Sequence, residues 1–554
     1  MLASAYSPTS TRSTLGAEDQ ESEDTVGIRM TLVLALLATG ILHATAAGTR
    51  AAPEAIARAA PSDFNGDGFA DLAIGVQDEA HLGGVNVLYG SATGTTATND
   101  QLWTPSTPGI VGAAAVEGFG ESLASADFNG DGYADLAIGS PSATVTPVGA
   151  AGAVNIVYGS AAGLAVIGNQ RWSQETLGGG AQRFGDFGRS LAAGDFDADG
   201  FADLAIGAPE HSLGQPDFVP RGLVVIVRGS AAGLTAAGAA VVSQATAGVP
   251  GAPGWDRFGS SLATGDLDGD GFPDLAIGVP EETVSGVTGA GSVNVVYGSA
   301  AGLTGTGAQR WNQDSPGIKG VAEAPLPSNQ QDVQKEHFGH SLAIGDFDND
   351  RFEDLAVGVP WEVQSHNGAG AVNVLSGSPG GLTANGDQFW HQGVPGVPGT
   401  LEHGDVFGAD VAAGDLDGDG RDDLAIGVPG ERFGGMTGGA GVVDVLYGGT
   451  SGLSSSRAQV WSQDSPGIAG TAEPIDGFGH TLAIADFGRS SRADLAIDVV
   501  NESIGAHIAA GMVHVLYGTL SGLNATGSQA WTQDSPGVEG EVRDLAFYGR
   551  TLTP

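Results

Sequence analysis

The chain runs to 554 residues, with 64 acidic against 21 basic side chains and a formal net charge of −43. A surface this acidic repels polyanions, which excludes nucleic acid and anionic membranes as partners; lysine occurs only at Lys319 and Lys335. Cysteine is absent, so the fold uses no disulfide, thiolate metal site or thiol nucleophile, and 41% hydrophobic residues supply enough core to exclude disorder.

In chain order, residues 1–47 read as an N-terminal extension and signal peptide. Thr31 to Leu42 is an apolar run of signal length, Ala44-Thr45-Ala46 is a small-residue cleavage pattern, and Met30 offers an alternative start after an acidic lead. Twelve apolar residues are too few to cross a bilayer comfortably. Secretion or surface display is therefore expected, with no membrane span in the mature form.

From residue 58 to 554 one pattern recurs seven times. Phe187 to Glu210, FGRSLAAGDFDADGFADLAIGAPE, shows it in full. The acidic loops begin at Asp63, Asp127, Asp195, Asp266, Asp346, Asp415 and, degenerately, Asp486, between 64 and 80 residues apart. Each repeat offers four short β-like runs: Phe-Gly-x-Ser-Leu-Ala, Asp-Leu-Ala-Ile-Gly, an apolar alternation such as Val293 to Tyr297, and a run centred on Gln-x-Trp. Gly-rich turns separate them, and no stretch sustains a helical period. Four antiparallel strands per unit, repeated radially, predict an all-β, seven-bladed β-propeller. The first repeat enters its loop through ARAAPSDF without a Phe-Gly run. The missing run stands at the other end, Phe547 to Leu552, so the C-terminal strand is expected to complete the first blade and close the ring.

Six loops have the spacing of a calcium cage, with side-chain oxygens at positions 1, 3, 5 and 9 and a backbone carbonyl at 7. In the first two these are Asp63, Asn65, Asp67, Phe69 and Asp71, then Asp127, Asn129, Asp131, Tyr133 and Asp135. The third and fourth supply Asp195, Asp197, Asp199, Phe201 and Asp203, and Asp266, Asp268, Asp270, Phe272 and Asp274. The fifth and sixth supply Asp346, Asp348, Asp350, Phe352 and Asp354, and Asp415, Asp417, Asp419, Arg421 and Asp423. About six Ca²⁺ sites are expected, structural rather than switching. The fifth should be weakest, because Arg351 stands where the loop wants glycine. Gly488 and Ser490 disqualify the seventh loop. The alternatives are an Asx-rich turn that binds nothing and an EF-hand, but position 12 is Gly207 in the third copy, not a bidentate Glu.

The Phe-Gly pairs, with exits such as Gly207-Ala208-Pro209, Gly139-Ser140-Pro141, Gly278-Val279-Pro280, Gly358-Val359-Pro360 and Gly427-Val428-Pro429, resemble FG-GAP repeats, those of the integrin α-subunit propeller. The resemblance covers roughly residues 58–554. It implies a head-like module of the secreted bacterial kind, whose face opposite the acidic loops meets an extracellular protein or glycan.

Trp103, Trp172, Trp311, Trp390, Trp461 and Trp531 recur at one fourth-strand position, which favours packing between blades over sugar stacking. The face opposite the loops carries Asp314 to His337 as its longest connection, with His211, Phe218, Arg221, Trp255, Trp361 and Arg432 on others. Adhesion or recognition is the expected function. A polysaccharide lyase or hydrolase with its site in the funnel and a ligand-free matrix component are the alternatives. Neither a Gly-x-Ser-x-Gly elbow nor a His-Glu-x-x-His motif is present, and no His/Arg/Tyr cluster is expected at repeat-matched positions, so no catalytic residue is assigned.

Overall fold

The computed structural model describes residues 62–77, 82–112, 118–178, 180–213, 219–322, 335–362, 368–432 and 438–554, all within the compact unit Ala57–Pro554. The signal-peptide expectation lies outside them. Seven four-stranded antiparallel sheets form the blades. Blade three shows the order from axis to rim: an inner strand Leu191–Gly194, a second Asp203–Ala208, a third Leu223–Arg228 and an outer strand Thr235–Val242. Second and third strands are buried almost throughout, because adjacent blades cover both of their faces. This is why they read as continuous apolar runs instead of strict alternation.

The ring closes as the sequence implies. Leu552–Thr553 pairs with Leu72–Val76 as the inner strand of blade one, in the register Ile74↔Leu552 and Ala73↔Thr553. One expectation needs correction, since the Phe-Gly pair does not open the inner strand in most blades. It forms a tight turn, and Phe119, Phe258, Phe338 and Phe407 each make a parallel bridge to a glycine of the preceding blade. The strand proper starts at or just before the following leucine or valine. The Phe rings are core, 0–2% exposed from Phe119 to Phe478. Each apolar cluster joins two neighbours: Ala137, Val154 and Ile156 of blade two pack with Phe187, Leu204 and Val225 of blade three. Trp103 and Trp390 are buried in these seams and the other four pack partly against them, while Val242 fills the place in blade three.

Polar latches run from each blade to the next. Ser122 Oγ donates to Gly188 O (2.7 Å), Ser190 to Gly259 O (2.7 Å), Ser261 to Gly339 O (2.8 Å) and Ser341 to Gly408 O (3.0 Å). Thr481 to Arg550 O (2.9 Å) and Thr551 to Gly120 O (2.6 Å) continue the belt around the axis. At the rim, the Gln of Gln-x-Trp works between blades. Gln170 Oε1 accepts from Tyr158 OH (2.9 Å), and its Nε2 donates to Leu234 O (3.0 Å) of the following blade. Leu234 N donates back to the Tyr158 hydroxyl at 3.1 Å. A Cβ at Gly233 would run into that hydroxyl, which accounts for the glycine in the Gly-Ser-Ala-Ala-Gly-Leu turn.

Blade six carries a buried exception. Asn155, Asn294 and Asn373 use their amides to bond loop carbonyls such as Val111 O (3.0 Å) and Pro250 O (2.8 Å), and Asn86 donates to Asp100 Oδ2 (3.1 Å). The matching residue in blade six is Asp444, 0% exposed, with neither carboxylate oxygen hydrogen-bonded. Burial, reinforced by Glu431, pushes its carboxyl well above the usual range. A raised folded-state pKa means that Asp444 costs nothing below about pH 4 and destabilises increasingly as pH rises. Asp444→Asn should therefore stabilise the protein by about 2–4 kcal/mol at pH 7.5 and by little at pH 4.5. Chemical denaturation at the two pH values checks this.

Candidate metal centres in the hairpin loops

Each acidic loop joins an inner strand to a second strand and is wrapped by its own backbone. In loop two, Asp127 Oδ1 accepts the amides of Gly130 (2.7 Å) and Asp131 (3.1 Å), and its Oδ2 accepts that of Gly132 (2.8 Å). Asp131 Oδ1 takes the Tyr133 amide at 3.1 Å, and Asn129 Oδ1 takes that of Asp131 at 2.8 Å. The position-9 carboxylate ties the loop to the third strand: Asp135 accepts Phe128 N and Gly159 N, both at 2.9 Å. Loop one repeats the scheme around Asp63 and Asp71. The position-7 side chain covers the preceding loop, and a Cβ at Gly66 would meet the Tyr133 ring at 2.6 Å.

Four loops bring three carboxylates together, with one oxygen of each within 4.8 Å of the others: Asp195/Asp197/Asp199, Asp266/Asp268/Asp274, Asp346/Asp348/Asp350 and Asp415/Asp417/Asp423. Loops one and two complete their sets with Asn65 and Asn129. Asp197 Oδ1 and Asp348 Oδ1 are enclosed and hydrogen-bond to nothing. Burial, with neighbouring carboxylates, raises Asp71, Asp135 and Asp423 to about 8 and Asp274 and Asp354 to about 7. Oxygen-only donors, spare lone pairs and desolvated carboxylates suit a hard divalent cation, so the residues fit Ca²⁺.

Six stretches, residues 56–89, 119–157, 187–222, 258–296, 338–375 and 407–446, match the FG-GAP repeat model. The chain is an FG-GAP repeat protein. Integrin alpha-PS2 of Drosophila melanogaster is 35% identical over 221 residues, 39% of this chain and 14% of that protein. Integrin alpha-V of Gallus gallus is 33% identical over 229 residues, 40% of this chain and 19% of its own length. A phosphatidylinositol-glycan-specific phospholipase D of Bos taurus is 34% identical over 163 residues, 29% of this chain and 18% of that enzyme. The chain thus spans less than a fifth of each of these three. Among solved structures, rhamnogalacturonan lyase YesW aligns with a TM-score of 0.36 at 12% identity, covering 84% of this chain and 75% of that one.

The FG-GAP loops are not equivalent. In loop five Arg351 adopts φ +84°, the strained conformation expected of a non-glycine there. Loop three has a feature that its motif hides. Arg228, where most blades have tyrosine, places Nη1 2.7 Å from Asp197 Oδ2 and 2.7 Å from Asp203 Oδ2. It also helps hold Asp203 down to about 6 against burial. A guanidinium thus occupies carboxylates that a metal would use, as Arg457 on Asp417 and Arg421 on Asp419 do in loop six, so loops three and six join loop five as sites expected to bind less tightly. Arg228→Tyr should tighten calcium binding at loop three by about tenfold or more, read by calcium titration. In the seventh repeat Arg489 lies 3.9 Å over the Tyr517 ring, and only Asp486 and Asp494 remain as carboxylates.

On the opposite face, two expectations change. His211 is no free loop residue: it is 6% exposed, with Nε2 2.9 Å from Gly180 O and Nδ1 accepting Leu213 N. Both lysines are spent internally, Lys335 on Glu281 and Lys319 on the Asp387 carbonyl. Arg221 and Trp361 are half-buried and Arg432 is exposed; Phe218 and residues 323–334 lie outside the described residues. The sequence reading also misses a cluster at repeat-matched positions. The residue after each Phe-Gly or Tyr-Gly pair sits at the head of an inner strand, giving Glu121, Arg189, Ser260, His340, Ala409, His480 and Arg550 around the axis. Aligning the seven repeats by their Phe-Gly pairs would have exposed it.

Proposed function

We propose that the chain is a secreted or surface-displayed recognition module of the adhesion type, clamped by Ca²⁺ in its FG-GAP loops. Kinship with integrin α-subunits supports this reading. The observation that carries it is the placement of exposed apolar side chains. Phe184, Trp255, Ile475 and Leu545 lie on connections from an outer strand to the next inner strand, and Ile508 lies on a second-to-third-strand connection. Strand alternation puts all five on the face opposite the acidic loops. Each is at least half exposed, and solvated large apolar groups on a rigid scaffold are what a partner buries.

An array of extracellular-matrix proteins and glycans, probed with the full chain in Ca²⁺ and again in chelator, tests the reading. Binding in Ca²⁺ that is weakened at least tenfold by a Trp255→Ser/Ile475→Ser double variant is expected. Binding that ignores both chelator and the double variant would remove the assignment.

A further inference from the structure

The mouth of the central channel has a chemistry of its own. In the seven-membered ring, cations stand at Arg189 and Arg550, imidazoles at His340 and His480, and small residues at Ser260 and Ala409, leaving space between the larger side chains. His340 senses the charges of both Arg189 and His480, each two blades away, and His480 senses Arg550. The placement itself comes from the topology, because each of these residues heads the inner strand of its blade, beside the axis. Arg189 and His480 are about half exposed and His340 is also open to water, yet protein crowds the imidazoles closely enough to disfavour their protonation. Trp361 holds the rings of His337 and His340 edge-on at 5.0 and 5.2 Å.

Two further residues break the repeat at this spot. Asp498 replaces the glycine that ends Asp-Leu-Ala-Ile-Gly in the other blades, and Asp410 replaces the belt serine or threonine. Asp498 is 0% exposed; its Oδ1 accepts Thr481 N at 2.6 Å, and its Oδ2, without a hydrogen bond, lies 3.9 Å from His480 Nδ1. Asp410 accepts Leu482 N at 2.8 Å. Burial favours the neutral form of both carboxyls, so neither offsets the mouth cations as an ordinary surface carboxylate would. Among the described residues Arg189 pairs with Glu121 at 3.2 Å, and Asp186 is near enough to feel its charge. Among the described residues, Arg550 has no carboxylate within ion-pair distance and instead lies 5.8 Å over the Phe547 ring. On the connections beside the mouth, Arg257 pairs with Glu210 at 2.8 Å, and Lys335 pairs with Glu281.

We propose that the channel mouth is a binding site for the carboxylate of a small acidic ligand, held by Arg550 and Arg189 with His340 and His480 hydrogen-bonding beside them. Asp498 positions the His480 ring from behind, and the gaps at Ser260 and Ala409 admit the rest of the ligand. The mouth lies on the same face as the exposed apolar side chains, since Phe184, Trp255, Ile475 and Leu545 precede Arg189, Ser260, His480 and Arg550 on the same connections, so a small ligand is tested without any macromolecular partner present.

Calorimetric titration of the calcium-loaded full chain with glucuronate, acetate and glucose tests it. Glucuronate should bind saturably and glucose should not; acetate binding alone would still support a carboxylate site and assign recognition to that group only. Arg550→Gln and Arg189→Gln should each weaken binding about tenfold or more. Ala409→Phe, which fills a gap and removes no charge, should abolish it without lowering the melting temperature by more than a few degrees. Absence of glucuronate and acetate binding at about 10 mM, or binding unchanged in the Arg189→Gln/Arg550→Gln double variant, overturns the proposal.

Discussion

Deleting residues 547–554 should cost the folded state more than 5 kcal/mol and leave a chain that binds hydrophobic dye at room temperature. The segment supplies Tyr548, 0% exposed, whose hydroxyl donates to Asn86 Oδ1 at 3.0 Å. Removing one buried aromatic side chain alone costs about 3–5 kcal/mol. The deletion also takes the Thr551–Gly120 bond and the strand paired to Leu72–Val76, and exposes the cluster in which Leu72 and Ile74 pack on Val513 and Val515. An open edge replaces a closed ring. Far-UV dichroism with dye binding reads the outcome; a deletion variant that melts like the parent would show that closure contributes nothing.

Stripping Ca²⁺ should have an effect of similar size. For sites of about 10⁻⁴–10⁻³ M, 10 mM calcium contributes roughly 1–3 kcal/mol each, or about 10 kcal/mol over six. Chelator should therefore lower the melting temperature by about 10 °C or more, with the loss restored by calcium and not by an equal ionic strength of sodium. The loops hold the position-9 aspartates against the amides of the third strand, so freeing them loosens both hairpins of a blade at once. Coincidence of the two melting curves would refute a structural metal.

Much of the fold was readable because it is periodic. The seven acidic loops set the number of blades, and the Phe-Gly run at Phe547 located the closing strand. The acidic cages were equally plain, since one nine-residue loop carries its own carboxylates. What stayed hidden depends on separation in the chain. Arg228 meets Asp197 from another strand, and it shows in the sequence only as a break in a column of tyrosines. The channel ring gathers His340, His480 and Arg189, between 140 and 291 residues apart in pairs, and no local pattern announces a meeting at an axis. Gln-x-Trp looked like a tryptophan motif, whereas its glutamine makes the bond to the next blade. The Phe-Gly turn reads as strand because it runs straight into an apolar β-like segment, whereas in most blades its phenylalanine pairs only through a single bridge.

Every latch points the same way around the wheel: the belt hydroxyl, the tyrosine and the rim glutamine of one blade all find partners in its successor. A blade is therefore finished by another blade's atoms, and the last borrows from the first, as Gln529 does from Thr95 at 2.9 Å. Excising two or three repeats would leave a fragment with orphaned donors and acceptors at both ends, so the genetic module is smaller than the cooperative one. Copy number in such an array cannot drift one unit at a time without passing through an unclosed intermediate.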